Sequence, residues 1–474
     1  MRRRRFLRAH RDWYVAFAVA GDPERAVGVV NDTPQAVEAE HDNLRAALSS
    51  GLSEDPAAAL RLAVSLWRFW LARGHFSEGS RWLEASLAAA PERTPLRAQA
   101  LLAAAAMAVR RGDSTAHLAG LRVEAVGIMR EVGDGQALAQ TLHLAGLLAW
   151  LVDDGWERAA DLVEEGRALA ASVADRGVVA SATHLLGVIA LSRGDSKQAE
   201  GYFSEALGLL DQLPAGLPPF FSVVTPGFFW ELGRGGQPRM PFTETVLLFR
   251  RAGTAQAAAY TLSNLSYAVR LGGDQARART LLEESVNAFH RQGDLHGEGL
   301  VLCHLANVHR ITGQLPEARE LLERSLGIRR GLGDRRGVGV TLVNQGLVAA
   351  AAGDLRQADR LLREALLLFE EMEDAAGRFC VLLDLGLVLF DAGEDDRARR
   401  VLRQWRELPL VSWSFRSRAW TLLTLATLER RAGEETAAAG CLDEARGCFL
   451  ALADATGLGY LAGHAEPLLT SSRD

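Results

Sequence analysis

Apolar residues recur along most of the chain at the spacing i, i+3, i+4 and i+7, which places them on one face of an α-helix. The segment 361–369 is typical, because its leucines, alanine and phenylalanine fall at these positions. No window alternates between apolar and polar residues with the period of two that a half-buried strand requires. The pattern therefore predicts an all-α fold.

The predicted helices repeat every 40 residues in the second half of the chain, where a glycine stands at 273, 313, 353, 393 and 433. An alanine follows each glycine by five residues, and a small residue precedes it by seven. The side chain twelve residues after the glycine is small where it follows positions 273, 313, 353 and 433, whereas Trp405 follows Gly393. Small residues at such fixed positions let two helices approach closely, so the sequence predicts a stack of helical hairpins.

The same template continues towards the N-terminus with more variation, which gives about ten hairpins in a right-handed α-α superhelix. A Gly-Asp pair closes the second helix at 293–294 and 333–334, where glycine can adopt the left-handed conformation and aspartate can cap the next helix. These markers divide the chain into a lead-in 1–56, repeats 57–212, an irregular segment 213–253, regular repeats 254–457 and a tail 458–474.

The arrangement of small residues resembles the tetratricopeptide repeat (TPR). In that family a small residue lies in the first helix, a glycine or polar residue in the turn, and alanines in the second helix. The period of 40 is longer than the family's usual period of about 34, so each helix is expected to be longer. The resemblance implies a TPR-like solenoid with a long concave groove.

Two motifs near the N-terminus resemble a narrower group of proteins. They read Glu40-His41-Asp42-Asn43-Leu44-Arg45 and Gly74-His75-Phe76-Ser77-Glu78-Gly79, with Arg81-Trp82-Leu83-Glu84 following. They look like the beginning of the repeat arm of actinobacterial signal-transduction ATPases and large ATP-binding LuxR-type regulators. The resemblance covers the arm alone, because the chain holds no Walker motif. It implies a sensor or docking role, for either an excised arm or a stand-alone relative.

The segment 213–241 interrupts the period, since it contains six prolines together with several aromatic residues, among them Phe228 and Trp230. Two interpretations stay open. The segment is either a degenerate repeat whose aromatic side chains fill the gap beside a shortened helix, or a loop that projects into the groove. In the second case it forms one wall of a ligand pocket.

The first helix of a TPR-like hairpin lines the groove, at positions ten, six and three before the turn glycine. In the middle of the array several of these positions are polar or aromatic, which is typical of a site for a small ligand or a peptide terminus. The candidate binding residues are His184, Phe228, Trp230, Tyr260, Tyr267, Arg270, Asn307 and Arg310. The alternative is a solvated groove with ordinary surface arginines.

The composition narrows the chemistry that the chain can perform. Lys197 is the only lysine among 53 basic residues and no Gly-Lys pair occurs, so the chain lacks the P-loop that cradles nucleotide phosphates. A net charge of −6 disfavours a surface for nucleic acid. Glu231 is a weak candidate for a catalytic group, as a general acid beside Trp230, and its ordinary interpretation is a surface residue.

The sequence predicts neither a metal site nor a cofactor. His304 and His309 are five residues apart, which does not place two ligands on one helix face. His304 is instead expected to form an interhelical hydrogen bond, within a polar ladder that includes Asn264 and Asn344. The residues Arg3-Arg4-Arg5 resemble a twin-arginine export motif, but the short apolar stretch after them favours an amphipathic first helix and a cytoplasmic protein.

Together these observations predict a non-catalytic TPR scaffold or sensor that binds an effector or partner protein in its groove, in transcriptional or signalling regulation. One alternative is a stand-alone small-molecule-binding protein or enzyme whose pocket is closed by the segment 213–241. Another is a homo-oligomerisation scaffold. No direct contact with nucleic acid or membrane is expected.

Overall fold

The computed structural model describes residues 2–20, 37–73, 75–111, 113–132, 134–152, 156–193, 195–213, 221–224, 231–232, 238–239, 247–250, 254–408, 415–451 and 461. The helices of the first half are α1 (Arg2–Ala20), α2 (His41–Glu54), α3 (Pro56–Arg73), α4 (Phe76–Ala89), α5 (Pro95–Arg111), α6 (Thr115–Val132), α7 (Gly135–Val152), α8 (Trp156–Ser172), α9 (Arg176–Ser192) and α10 (Ser196–Asp211). Those of the second half are α11 (Thr254–Leu271), α12 (Gln275–Gln292), α13 (Leu295–Ile311), α14 (Leu315–Gly331), α15 (Arg335–Ala351), α16 (Leu355–Glu371), α17 (Ala375–Asp391), α18 (Asp395–Arg406), α19 (Phe415–Arg431) and α20 (Glu435–Ala451).

Consecutive helices pack in pairs from α3 with α4 to α19 with α20, so the described part of the chain contains nine helical hairpins. Each hairpin packs against the next, and α1 and α2 pack on α3 ahead of the first hairpin. The predicted all-α, TPR-like solenoid is confirmed.

The turn glycines adopt the backbone conformation that their period indicated. Those at 273, 313, 353, 393 and 433 all have a positive φ, between 77° and 97°. A side chain at such a φ is strained, so glycine ends the first helix of each hairpin at the least cost.

The second turn of each repeat is closed by a left-handed residue followed by an aspartate cap. Gly293 and Gly333 have φ values of 65° and 64°, and Glu373 takes the equivalent place with a φ of 54°. The carboxylate of Asp294 accepts a hydrogen bond of 3.0 Å from the N–H of Gly297, and Asp334 and Asp374 cap their helices in the same way. The predicted caps at 293–294 and 333–334 are confirmed.

Close helix packing explains the small residues. The alanines at 278, 318, 358, 398 and 438 are completely buried. A Cβ atom on Gly346 would lie 2.9 Å from Leu362 Cγ, so no larger residue fits there without movement. Trp405, which breaks the small-residue rule, is also completely buried and packs against Phe379 with ring centroids 5.1 Å apart.

The irregular segment contains four short strands that the helical pattern did not predict. They are β1 (Phe221–Val224), β2 (Glu231–Leu232), β3 (Pro238–Arg239) and β4 (Leu247–Arg250). Strand β1 pairs antiparallel with β4, in a register that places Phe221 opposite Arg250, and β2 pairs antiparallel with β3. Strands of two and four residues are too short for alternation to reveal them.

Strand β1 contacts α9 and α11, the first helices of the hairpins on either side of the segment, and β3 contacts α19. The segment therefore reaches from the middle of the array to its last described hairpin. Among the described helices, none combines the length and apolar character needed to cross a membrane.

Candidate functional site

The first helix of each hairpin is buried much more completely than the second. Every residue of α13 from Gly297 to Val308 is buried, whereas α14 buries only Ala318, Leu322, Ser325 and Arg329. The first helices therefore form the inside of the solenoid, and we call them the inner helices. The second helices form its outside.

The inner helices contact one another along the array and also across it. Neighbouring inner helices touch from α9 with α11 to α17 with α19. In addition α3 contacts α15, and α5 contacts α17, although hundreds of residues separate them in the chain. The first two hairpins thus approach the seventh and eighth across the groove.

A ladder of hydrogen bonds joins polar side chains of successive inner helices. His143 Nε2 lies 3.0 Å from Ser181 Oγ, and His304 Nδ1 lies 2.9 Å from Ser263 Oγ. Asn307 donates from Nδ2 to Asn344 Oδ1. Since buried polar groups are costly unless they are hydrogen-bonded, this ladder fixes how each repeat sits on the next. The expected interhelical hydrogen bond of His304 is present.

The ladder histidines are neutral at physiological pH. Burial lowers the pKa of His143 to about 3, and the positive charge that His184 could carry acts in the same direction. Burial, helped by the nearby Arg329, also lowers the pKa of His304 to about 3. A neutral imidazole carries one proton and one acceptor nitrogen, so it can pair with a hydroxyl or an amide on each side.

His184, a predicted binding residue, is completely buried as part of this ladder. Its Nε2 accepts a hydrogen bond of 2.9 Å from Asn264 Nδ2, and its Nδ1 lies 3.0 Å from Thr261 Oγ1. Tyr260 is also buried, with its ring edge-on to Phe289 at a centroid distance of 4.6 Å. Both side chains join α9, α11 and α12 into one packed unit.

Tyr267, Arg270 and His304 form a second, mixed aromatic and charged group. The Arg270 guanidinium lies over the Tyr267 ring, 5.7 Å from its centroid, and the Tyr267 ring is edge-on to His304 at 5.4 Å. Tyr267 is 3% exposed and Arg270 only 6%, so Arg270 is not an ordinary surface arginine. The Nε2 atom of His304 is buried without a hydrogen-bond partner among the described residues.

Asn307 and Arg310 lie on the same helix as His304. Arg310 is half-buried and donates from Nε to Asn307 Oδ1 at 3.2 Å. Asn307 is buried, and it also donates to the backbone carbonyl of Cys303 at 3.3 Å. This pair continues the polar interior from the Tyr267 group towards α15.

Three predicted positions in the irregular segment have no described side chain. Phe228 and Trp230 lie outside the described residues, and Glu231 lies in β2 with only its backbone described. Burial raises the pKa of Cys441 and of Cys448 to about 11, so both thiols stay protonated and are poor nucleophiles at neutral pH.

The two N-terminal motifs, which are distant in sequence, meet in space at a charged cluster. Arg45 donates from Nε and Nη2 to the two carboxylate oxygens of Glu78, each at 2.7 Å, and Trp82 Nε1 donates to Glu78 at 3.2 Å. Burial opposes ionisation of Glu78, but the hydrogen bonds from Arg45 and Trp82 prevail and lower its pKa to about 2. Burial lowers the pKa of His41, against the opposite effect of Glu78.

Sequence spacing missed the residues beside this cluster. Glu38, His41 and His75 are, among the described residues, a set of side chains close enough to hold one metal ion. Residues 38 and 75 are far apart in sequence, so no local spacing could reveal them. The histidines that the sequence analysis weighed do not meet: His304 pairs with Ser263, and His309 with Gln314 at 2.9 Å.

Comparisons with known proteins agree with this architecture. Residues 298–371, which span α13 to α16, match the family model described as tetratricopeptide repeat. The solved structure of a Rap protein complexed with Competence and Sporulation Factor has a TM-score of 0.52 and 12% sequence identity, covering 85% of this chain and 98% of that one. A likeness at this identity shows the fold alone.

Two further solved structures resemble the chain more weakly. Aspartyl phosphate phosphatase F from Bacillus subtilis is 10% identical over 83% of this chain and 94% of its own, with a TM-score of 0.46. The apo quorum sensor NprR from B. thuringiensis is 12% identical over 71% and 83%, with a TM-score of 0.43. A search of curated protein sequences gives no match.

Proposed function

We propose that this chain is a non-catalytic TPR-like sensor that binds an effector or partner protein inside its solenoid, against the inner helices α11 and α13. Its role is in transcriptional or signalling regulation within the cytoplasm. The observation that carries the proposal is the buried group of Tyr267, Arg270 and His304. The Tyr267 ring contacts both the Arg270 cation and the His304 imidazole, and the buried Nε2 of that imidazole has no hydrogen-bond partner among the described residues.

Physical chemistry favours a ligand for such a group. Buried polar atoms in folded proteins are nearly always hydrogen-bonded, because desolvating one without compensation costs about 1–3 kcal/mol. The repeat that ends at Gly353 carries Leu347 at the position of Tyr267 and Ala350 at that of Arg270, so packing alone does not require an aromatic ring and a cation there. We infer that a ligand atom meets His304 Nε2 in the bound state.

The chemistry of the group points to an occupant with a carboxylate or backbone amides. Arginine binds carboxylates through two parallel N–H groups, and tyrosine adds a flat apolar surface with one polar end. The half-buried Arg310 offers a second cation one helix further along. The Rap protein of similar fold was solved as a complex with Competence and Sporulation Factor, which supports the idea that a solenoid of this kind can bind a second molecule.

Binding inside the solenoid also offers a route to regulation. The contacts of α3 with α15 and of α5 with α17 hold the first two hairpins against the seventh and eighth across the groove. An effector that enters between the inner helices would change the distance between these helices, and a partner protein could bind one of the two arrangements in preference to the other. The resemblance of the N-terminal motifs to the arm of signal-transduction ATPases suggests that such a partner is an ATPase domain.

A second candidate is a small-molecule-binding protein or enzyme closed by the irregular segment. It is favoured by the position of that segment, because β1 contacts α9 and α11 while β3 contacts α19. A segment that touches inner helices from separate parts of the array can form the wall of an enclosed pocket.

The test uses random heptapeptides displayed with a free carboxyl terminus, selected on the purified full chain and then measured by fluorescence anisotropy. Arg270→Met keeps the apolar packing of the stem but removes the cation, and Tyr267→Phe removes only the hydroxyl. Arg360→Met is the matched control, because Arg360 lies on the outer helix α16 with 66% of its side chain exposed.

The proposal predicts that Arg270→Met weakens peptide binding at least about tenfold, which corresponds to about 1.4 kcal/mol. Amidation of the peptide terminus should weaken binding similarly, while Arg360→Met should leave it unchanged. Equal binding by all variants would contradict the assignment to this group. If no peptide is selected but native mass spectrometry of the protein from its own cells shows a bound small molecule, the second candidate replaces the first.

A further inference from the structure

We propose that Glu38, His41 and His75 form a binding site for one zinc ion at the N-terminal end of the solenoid. Their ligand atoms all lie within 4.8 Å of one another. Glu38 Oε1 lies between the two imidazoles, 3.6 Å from His75 Nε2 and 3.9 Å from His41 Nδ1. This proposal is independent of effector binding by the inner helices.

The spacing suits zinc after small side-chain movements. Zinc is bound tetrahedrally by histidine nitrogens and carboxylate oxygens at about 2.0–2.2 Å, which places neighbouring ligand atoms about 3.3 Å apart. The two distances from Glu38 Oε1, 3.6 and 3.9 Å, exceed this value by about 0.3 and 0.6 Å. A set of two imidazoles and one carboxylate also binds zinc in preference to calcium or magnesium, which favour oxygen ligands.

Two separate pieces of the chain supply the ligands, and the side chains of both pack against neighbouring residues. Glu38 precedes α2, His41 begins α2, and His75 lies in the turn between α3 and α4. The N–H of His75 donates to the carbonyl of Trp70 at 2.9 Å. Both imidazoles pack near the ring of Phe69, at centroid distances of 5.3 Å for His41 and 5.7 Å for His75.

A second carboxylate lies close to the other ring nitrogen of His41. Metal-binding histidines usually direct their second nitrogen at a carboxylate, which sets the tautomer and the ring orientation. His41 Nε2 lies 3.4 Å from Glu78 Oε2 without hydrogen-bond geometry, and Glu78 is itself fixed by the two-pronged pair with Arg45. This arrangement leaves His41 Nδ1 directed at Glu38.

Two features distinguish the cluster from an ordinary set of surface charges. The Nε2 atom of His75 is buried and has no hydrogen-bond partner among the described residues, although it is directed at Glu38. Glu38 is 44% exposed along its side chain, so an ion can enter from solvent on that side. With three protein ligands, a water molecule takes the fourth position.

The bound ion would tie the segment before α2 to the first hairpin. The ligands lie on both sides of the junction between the lead-in and the repeats, so one ion would link the lead-in to the first hairpin. Zinc binding by the folded state alone raises the free energy of unfolding in proportion to its affinity.

The test measures zinc binding to the untagged full chain, stripped of metal with a chelator and dialysed, by isothermal titration calorimetry. The variants are His75→Ala and Glu38→Gln, both at partly exposed side chains, so that folding is preserved. The matched control is His296→Ala, because His296 Nδ1 also lies 3.6 Å from a carboxylate, that of Asp334. Thermal unfolding with and without zinc is recorded for every variant.

We expect one zinc ion per chain and a higher melting temperature with zinc in the wild type and in His296→Ala. Each of the two ligand variants should lose at least about a hundredfold in affinity, together with the zinc-dependent rise in melting temperature. Absence of stoichiometric binding to the wild type would overturn the proposal. Unchanged binding in Glu38→Gln and His75→Ala would overturn it equally, since the ion would then sit elsewhere.

Discussion

The regular hairpins α11 to α18 and the N-terminal hairpin α3–α4 use the same architecture but hold their polar groups differently. In the regular hairpins, neutral side chains such as His304 and Asn307 bond from one inner helix to the next, deep in the interior. At the N-terminal end, Glu78 and Arg45 form an ion pair near the surface. Polar side chains between the regular hairpins are buried and must pair with one another, whether they are neutral or charged, whereas the N-terminal ion pair keeps part of its contact with water, since Arg45 is 45% exposed.

The largest expected effect concerns an ion pair buried inside the regular hairpins. Arg336 Nε donates to Asp374 Oδ2 at 2.9 Å, and the Asp374 side chain is completely buried. Arg336→Ala leaves that carboxylate without its cation, so we expect a loss of about 3–5 kcal/mol in the free energy of unfolding. Urea unfolding followed by circular dichroism measures it.

The adjacent Arg335 provides the control, because its pair with Glu371 is exposed, at 47% and 64% of the two side chains. Arg335→Ala should cost less than about 1 kcal/mol. Similar losses in the two variants would show that burial does not separate these pairs.

A somewhat smaller effect is expected from the close crossing of helices α15 and α16. Gly346→Leu forces its side chain against Leu362, and we expect a loss of about 3 kcal/mol. Gly327→Leu is the matched control on the outer helix α14, because a Cβ atom there meets nothing within 4 Å. It should stabilise the protein by about 0.5–1 kcal/mol through helix propensity. A neutral result for Gly346→Leu would mean that the crossing can open without cost.

The buried histidines should make the regular hairpins sensitive to mild acid. The folded-state pKa of His304 is about 3, below its usual value of 6.5, so its contribution is complete above pH 6.5 and is lost as the pH falls towards 3. Between pH 7 and pH 5 the free energy of unfolding should therefore fall by about 2 kcal/mol through this histidine. His304→Gln should therefore lose less stability between pH 7 and pH 5 than the wild type, in urea unfolding at both values. An identical loss in both proteins would place the acid sensitivity elsewhere.

The smallest effect is expected at the N-terminal cluster, and at lower pH. Arg45→Ala should cost about 1 kcal/mol at pH 7, because Glu78 keeps its hydrogen bond from Trp82 and part of its contact with water. The pKa of Glu78 is lowered from 4.5 to about 2, so the contribution of the ion pair is complete above pH 4.5 and is lost as the pH falls through that interval. Urea unfolding of Arg45→Ala and of the wild type at pH 7 and pH 2 checks this. An undiminished difference in the free energy of unfolding at pH 2 would contradict the assignment.

Much of the fold could be predicted from the sequence because its repeats are local and regular. A glycine equivalent to Gly353 and an alanine equivalent to Ala358 recur every 40 residues, because the turn needs a positive φ and the helix packing needs a small side chain in each of these hairpins. The strands of the irregular segment escaped prediction because β2 and β3 have only two residues each.

The candidate site could be predicted only in part. The position of Tyr267 and Arg270 before the turn glycine predicted that they lie on the first helix of a hairpin, but it could not show how completely the packed helices bury them. The sequence could not predict that His41 and His75 lie with their ring centroids 5.0 Å apart, because this contact depends on how the lead-in packs on the first hairpin. Periodic patterns report neighbours within a repeat, and contacts between distant repeats need the three-dimensional structure.

Hydrogen exchange with a selected heptapeptide tests the central claim, that the inner helices are the binding surface, most directly. Backbone amides of α11 and α13 should exchange more slowly when the peptide is bound, while the exposed outer helices α14 and α16 keep their rates. Slower exchange confined to the outer helices, with no change in α11 and α13, would contradict binding inside the solenoid.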